Sequence, residues 1–229
     1  MKSGIVSSLE PVGLVGGGPL PLADLESVLS TTSVLVAADG GAAPIVSNGH
    51  QPDAVIGDFD SIPPKVVNNL PPDILHRIGE QNSTDFDKAL RNINAPVTVA
   101  AGVMGGRLDH QLAALHVLTA HPDRACIVLH DTEVVFLVPR YLHIATRVGD
   151  VVSLMPMAEV TGHSSGLEWE IDGLIFDPLR QIGTSNRAKG PLRIEMDGPA
   201  MLGVFPRRLL PDLIAFMSAL SPSERWPAL

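Results

Sequence analysis

Cysteine is nearly missing from this chain: 229 residues contain one, Cys126. A single thiol excludes an internal disulfide and any cysteine-cluster metal site. It lies in the apolar run Ala125-Cys126-Ile127-Val128-Leu129, so a packed thiol is expected rather than a reactive one. A reducing compartment fits that usage. Aromatics are scarce at 4%, which leaves the core to Val, Leu, Ile and Ala. No apolar run approaches the length of a bilayer. No signal-type apolar block follows Met1-Lys2-Ser3-Gly4, and a cytoplasmic protein with no membrane partner is expected. Positive charge is in deficit, with 16 Lys and Arg against 25 Asp and Glu, a net of -9. That argues against a nucleic-acid backbone as partner, which needs a basic face. It does not exclude a small phosphate ligand, because a bound metal can neutralise local carboxylates. The P-loop signature is absent, which excludes a Walker-type kinase. Gly16-Gly17-Gly18 also lacks the G-x-G-x-x-G spacing, and this weighs against an NAD-dependent oxidoreductase.

What is present is an ordinary globular composition, 45% hydrophobic and 18% charged, long enough for one large domain or two small ones. Up to about residue 138, short apolar runs alternate with amphipathic stretches. Strands are expected at Val12–Val15, Val34–Ala37, Ala54–Ile56, Ile74–Ile78, Val97–Ala101 and Ala125–Leu129. Between them, Leu22, Leu25, Val28 and Leu29 share one helical face, as do Phe86, Ala89, Leu90 and Ile93, and Leu108, Leu112, Leu115 and Leu118. The alternation predicts an α/β fold whose sheet is mainly parallel. Near Pro139 the texture changes to short runs separated by Gly, Pro and Asp: Val151–Met155, Leu167–Ile171, Leu192–Met196 and Met201–Phe205. These predict a smaller all-β sandwich or barrel. Residues 1–139 and 140–229 are therefore expected to be separate domains. A short helix is expected to start near Pro211, with Leu213, Phe216, Met217 and Leu220 on one face.

Position carries the functional argument. Five polar or glycine-rich motifs each follow an expected strand: Gly16-Gly17-Gly18, Asp39-Gly40-Gly41, Gly57-Asp58-Phe59-Asp60-Ser61, Glu80-Gln81-Asn82-Ser83-Thr84-Asp85, and Gly105-Gly106-Arg107-Leu108-Asp109-His110. In a parallel sheet those ends lie along one edge, where ligands bind. Asp58 and Asp60, at i and i+2, would point to the same side in extended chain. They would repel one another without a cation. Magnesium suits such oxygens together with phosphate; alternatively, both are turn or cap residues. Asp85 could be a third ligand, with Ser83 or Thr84 as helix cap and Lys88 a phosphate contact; alternatively, Asp85 complements the helix dipole and pairs with Lys88. The glycines let backbone N–H groups approach a phosphate at helix N-termini, although glycine turns also arise for local reasons. Arg107 could fork onto phosphate oxygens, and Asp109 could orient an acceptor or a metal-bound water. His110 reads as a supporting residue, and the other histidines show no ligand spacing.

Taken together, Ala38-Asp39-Gly40-Gly41, Pro52 through Ser61, Ser83-Thr84-Asp85-Phe86-Asp87-Lys88-Ala89-Leu90 and Gly105 through His110 resemble thiamine diphosphokinase in order and spacing. Gly166-Leu167-Glu168-Trp169-Glu170-Ile171 and Thr184-Ser185-Asn186 resemble that family's thiamine-binding region. The likeness runs over roughly residues 12–206. It implies transfer of the pyrophosphoryl group of ATP to the hydroxyl of thiamine, with Mg2+, giving thiamine diphosphate and AMP. It also implies a homodimer with thiamine near the interface. Asp58, Asp60 and Asp85 match the acidic metal and catalytic positions, and Gln81 and Asp109 the other polar catalytic ones. Gly17, Gly18, Asp39, Gly40, Gly41, Thr84, Lys88, Gly106 and Arg107 fall on the ATP side. Trp169, Ser185 and Asn186 fall on the thiamine side. A cationic thiazolium suits an indole face; without the resemblance, Trp169 would read as a core aromatic. The family's pattern has a basic-acidic pair before Gln81, where this chain has Gly79-Glu80. Competing readings are another metal-dependent phosphotransferase or nucleotide hydrolase on the same scaffold, and a nucleotide-binding regulatory module without turnover.

Overall fold

The structure, a computed structural model, describes residues 4–229. Met1, Lys2 and Ser3, part of the N-terminal reading above, lie outside the described residues. The chain forms two compact units that part between Val117 and Leu118, ahead of the change of texture near Pro139.

In the first unit the elements run β1 (Val6–Ser7), β2 (Val12–Val15), α1 (Leu22–Thr31), β3 (Val34–Ala38), α2 (Ala42–Ser47), β4 (Ala54–Gly57), α3 (Pro64–Asn69), β5 (Leu75–Arg77), α4 (Asp85–Arg91), β6 (Ile93–Asn94) and β7 (Thr98–Ala101). Helix α5 (Leu108–Ala120) crosses the join. β2, β4 and β7 are buried along their whole length. That is why they read as continuous apolar runs: parallel strands covered on both faces do not alternate. The order is β7-β2-β3-β4-β5, and every pair in it is parallel. Helix α1 buries Leu25 and Val28, and α4 buries Phe86, Ala89 and Leu90.

Helix α5 departs from expectation. Its buried residues are Ala114, Val117 and Leu118, whereas Leu108 and Leu112 are 69% and 58% exposed. The buried face is rotated away from the leucine stripe and meets it only at Leu118. Hydrophobicity alone favoured a stripe of leucines; packing instead buries Ala114 and Val117 beside Leu118.

The second unit holds β8 (Cys126–His130), β9 (Glu133–Leu137), β10 (Tyr141–Ile144), β11 (Val151–Pro156), β12 (Gly162–Leu167), β13 (Gly183–Met196), β14 (Met201–Pro206) and α6 (Leu210–Ala219). All its strand pairings are antiparallel, so the pairings of the chain as a whole are mixed. β13 belongs to two sheets. Residues 183–187 pair with β11 and residues 192–196 with β10 and β12, β12 also reaching Ala188, and Gly190 lies between with φ 153°. The alternation of buried and exposed residues along β10, β11 and β13 is that of sheets with one wet face. The strand expected at Leu167–Ile171 is displaced to Gly162–Leu167. Its Ser164 and Ser165 are weak strand formers recruited by pairing with β13, where context overrides propensity.

Phe136 and Phe205 pack edge to face, with ring centroids 5.1 Å apart. Beyond Pro206, α6 buries Leu210, Leu213 and Met217. Trp226 is buried, its Nε1 donates to the Val138 carbonyl at 2.9 Å, and Arg140 lies over its ring. The C-terminal segment is thus pinned by its own packing. Burial pushes the Cys126 thiol up, away from its reactive form.

Candidate active site

All five motif-bearing loops contribute to one cleft of about 580 Å³ in the first unit. The loop after β2 supplies Gly17 and Gly18, β3 leads to Asp39 and Gly40, and the loop after β4 supplies Ser61. The N-cap and first residue of α4 give Thr84 and Asp85, and the loop after β7 gives Gly106 and Arg107. The convergence expected from strand-end placement is therefore present in the geometry.

Asp39 follows β3 directly in a left-handed conformation, φ 42°, and is buried. Its two carboxylate oxygens accept from Phe59 N at 2.7 Å and Ser61 N at 3.0 Å. Phe59 is left-handed too, at φ 69°, which a bulky side chain adopts only under constraint. Asp39 supplies that constraint and so shapes the loop carrying Asp58 and Asp60. Burial, then the charges of Asp85 and Asp58, push the Asp39 carboxyl above the ordinary range against those two backbone donors. Carboxylate oxygens of Asp39, Asp58 and Asp60 lie within 4.8 Å of one another. Sequence reading assigned Asp39 to ATP and missed its place in this trio, although its position at a strand end beside Gly-Gly was a signal.

Lys88 is buried and bridges two carboxylates, donating to Asp58 Oδ2 at 3.1 Å and Asp85 Oδ1 at 2.9 Å. Burial opposes its charge, but the bonds to Asp85 and Asp58 prevail and raise its pKa. The Lys88 hydrogen bond in turn holds the Asp58 carboxyl below the usual range. Exposed Gln81 donates to the same Asp58 oxygen at 3.1 Å. Thr84 caps α4, its hydroxyl accepting from Asp87 N at 3.3 Å. Asp60 is exposed and accepts from Ser61 Oγ.

Other expected residues are differently engaged. Gly16 N and Gly18 N donate to the carbonyls of Ala101 and Gly102 at 2.8 Å. A Cβ at Gly16 or Gly18 would meet Gly102 O at 2.6 or 2.7 Å, so these glycines permit close approach of two loops. Gly41 is packed harder still, 2.0 Å from Val15 O by the same measure. Arg107 forks onto Asp109, at 2.6 and 3.1 Å, in an exposed pair. The basic partner that Glu80 lacks in local sequence arrives from α4: Arg91 Nη2 meets Glu80 Oε1 at 2.7 Å. Eleven residues separate them, and no local pattern announces the pairing.

Trp169, Ser185 and Asn186 belong to the second unit. Trp169 is 59% exposed, Ser185 is left-handed at φ 62°, and Asn186 is buried. The Asn186 side chain is bonded to the main chain of Trp169.

Fold and cleft define a mixed α/β protein with a cleft at the ends of parallel strands, beside three clustered carboxylates. A family profile described as "Thiamin pyrophosphokinase, catalytic domain" matches residues 25–129. Thiamine pyrophosphokinase 3 of Oryza sativa subsp. japonica is 29% identical over 187 residues, 67% of this chain and 70% of its own length. Thiamine pyrophosphokinase 1 of Arabidopsis thaliana is 29% identical over 163 residues, and the match spans 61% of that protein. Among solved structures, thiamin pyrophosphokinase from Candida albicans superposes with a TM-score of 0.73 at 18% identity, covering 86% of this chain and 90% of that one. The Geobacillus thermodenitrificans enzyme gives 0.70 at 23%, covering 86% and 97%. The chain is thus similar to thiamin pyrophosphokinases in sequence over part of its length, and shares their fold.

Proposed function

We propose that the protein transfers the pyrophosphoryl group of ATP to the hydroxyl of thiamine, giving thiamine diphosphate and AMP. The observation that carries this reading is the convergence of five strand-end loops on one cleft beside three clustered carboxylates. In the reaction the thiamine hydroxyl oxygen bonds to the middle phosphorus of ATP. The bond from that phosphorus to the α–β bridging oxygen breaks, AMP leaves with the oxygen, and the hydroxyl loses its proton.

Positioning and electrostatics dominate such chemistry. Asp39, Asp58 and Asp60 suit a divalent cation of the magnesium type. Their oxygens lie within 4.8 Å of one another, and carboxylate oxygens are the donors such an ion prefers. When bound, the ion would neutralise charge on the phosphoryl oxygens. Lys88 holds the Asp58 and Asp85 carboxylates in fixed direction. Thr84 and Asp85 present the start of α4 to the cleft, and Arg107, paired with Asp109, lines it. Gln81 orients Asp58.

The proposal extends to residues 1–139 as the nucleotide- and metal-binding part and 140–229 as the thiamine-binding and dimerising part, in a cytoplasmic homodimer. Among the described residues no helix is long and apolar enough to cross a membrane. Incubation with ATP, magnesium and thiamine tests the central claim. AMP and thiamine diphosphate should appear together, and only when thiamine is present. ADP, or AMP regardless of thiamine, would move the reading to another phosphotransferase or nucleotide hydrolase.

A further inference from the structure

The indole of Trp169 is mostly in water, yet its main chain is held at both polar atoms by one side chain. Asn186 Nδ2 donates to Trp169 O at 2.6 Å, and Trp169 N donates to Asn186 Oδ1 at 3.2 Å. The same Oδ1 accepts from Arg187 N at 2.8 Å. A primary amide carries donor and acceptor in one plane, so Asn186 acts as a one-residue strand partner. Glu168 N donates to Arg187 O at 2.7 Å and extends the pairing.

The backbone is arranged to bring this about. Ser185 is left-handed, a conformation uncommon for serine, and its N–H donates to Ser153 Oγ at 3.0 Å. The register between β11 and β13 shifts between Val152 and Leu154. A bulge re-aims the side chain beside it, and here the buried side chain is Asn186, 7% exposed. Core packing gives no reason for such a clamp, because an indole 59% exposed buries little area. A ligand that must meet the indole face in one orientation does give a reason.

We propose that Asn186 is a positioning residue: its amide fixes the Trp169 main chain so that the indole meets a flat cationic heteroaromatic, and it does not touch that substrate itself. This rests on the reading of Trp169 as the thiamine-facing aromatic. In Asn186→Asp a second oxygen opposes the Trp169 carbonyl; in Asn186→Ser both clamp bonds are lost. Steady-state assays of AMP formation are run on these variants, on Trp169→Ala, and on Trp169→Ala combined with each. Far-ultraviolet circular dichroism and the ATP KM serve as fold controls, and one soluble Asn186 variant suffices. The thiamine KM should rise roughly tenfold in the Asn186 variants, with ATP KM nearly unchanged. Adding either Asn186 change to Trp169→Ala should raise it no further. An unchanged thiamine KM in a folded Asn186 variant overturns the proposal, and so do multiplying effects in the double variant, which would mean direct contact. Failure of Trp169→Ala itself to move thiamine KM would sink the thiamine-side reading instead.

Discussion

Asp39 in the first unit and Ser185 in the second are both left-handed residues other than glycine, and each sits where a loop must be aimed. The means differ. Around Asp39 the aiming is done by charge: one carboxylate holds two backbone N–H groups, and Lys88 ties two more carboxylates together. Around Ser185 it is done by neutral groups, a serine hydroxyl and an amide. Strained backbone of this kind persists only where its surroundings over-determine it. A site for phosphates and a cation needs several charges kept apart at fixed distance. A site for a flat aromatic needs one plane held still, and for that an uncharged clamp avoids competing charge.

The largest expected effect that would break this contrast is on the charged side. Asp58→Asn removes a charge from the carboxylate trio and weakens the Lys88 bridge. Turnover should fall by roughly 10²–10³-fold at saturating magnesium, with the circular dichroism spectrum retained. Near-native turnover would remove Asp58 from the metal-binding role.

Lys88→Met tests whether the bridge is a structural pair. It leaves Asp58 without its buried cation, at a cost of roughly 3 kcal/mol, the lower end for such a pair, because the Asp85 side chain is 32% exposed. The pH dependence follows from the shifts. The pKa of Asp58 is lowered from 3.8, so its share of stability is present above 3.8 and fades as pH falls through its folded value. The pKa of Lys88 is raised from 10.5, so its share is present below 10.5 and fades as pH rises through its folded value. Denaturant melts should show a gap between wild type and variant that is flat near neutrality and closes in acid. Magnesium should raise the variant's melting temperature more than the wild type's. A gap that persists unchanged into strong acid would mean that lost packing, not lost charge, is the cause.

How far the sequence discloses this arrangement differs between the units. The parallel strands were readable because burial on both faces leaves unbroken apolar runs: β2 was read at its exact bounds, and β3, β4 and β7 to within a residue at either end. The loops were readable because carboxylates and glycines cluster after those runs. Pairings across sequence were not: Lys88 with Asp58 at a separation of 30 residues, or Asn186 with Trp169 at 17. A resemblance could mark Asn186 as belonging to the thiamine side, yet only coordinates show its amide committed to backbone. β12 was misplaced because its serines carry no strand pattern of their own, and the α5 face was misjudged because leucine is not always what packs.

The smallest expected effect concerns Arg91, which reaches across the start of the loop bearing Gln81, Thr84 and Asp85. Its guanidinium meets Glu80 at 2.7 Å, Ser83 Oγ at 3.5 Å and Asp87 at 3.8 Å. The Ser83 hydroxyl also donates to Glu80, and that bond, then Arg91, lowers the Glu80 pKa. The side chains are about one third exposed, so water screens the pair and its removal should shift the melting temperature only slightly. Its worth lies in the loop it ties down. Arg91→Ala should raise the ATP KM by roughly two- to fivefold while leaving the thiamine KM alone. Arg91→Lys should recover part of that loss, since an ammonium can meet Glu80 but cannot fork between it and Ser83. If instead the thiamine KM rose with the ATP KM, the loop before α4 would serve both substrates, and the division between a charged nucleotide side and a neutral thiamine side would not hold.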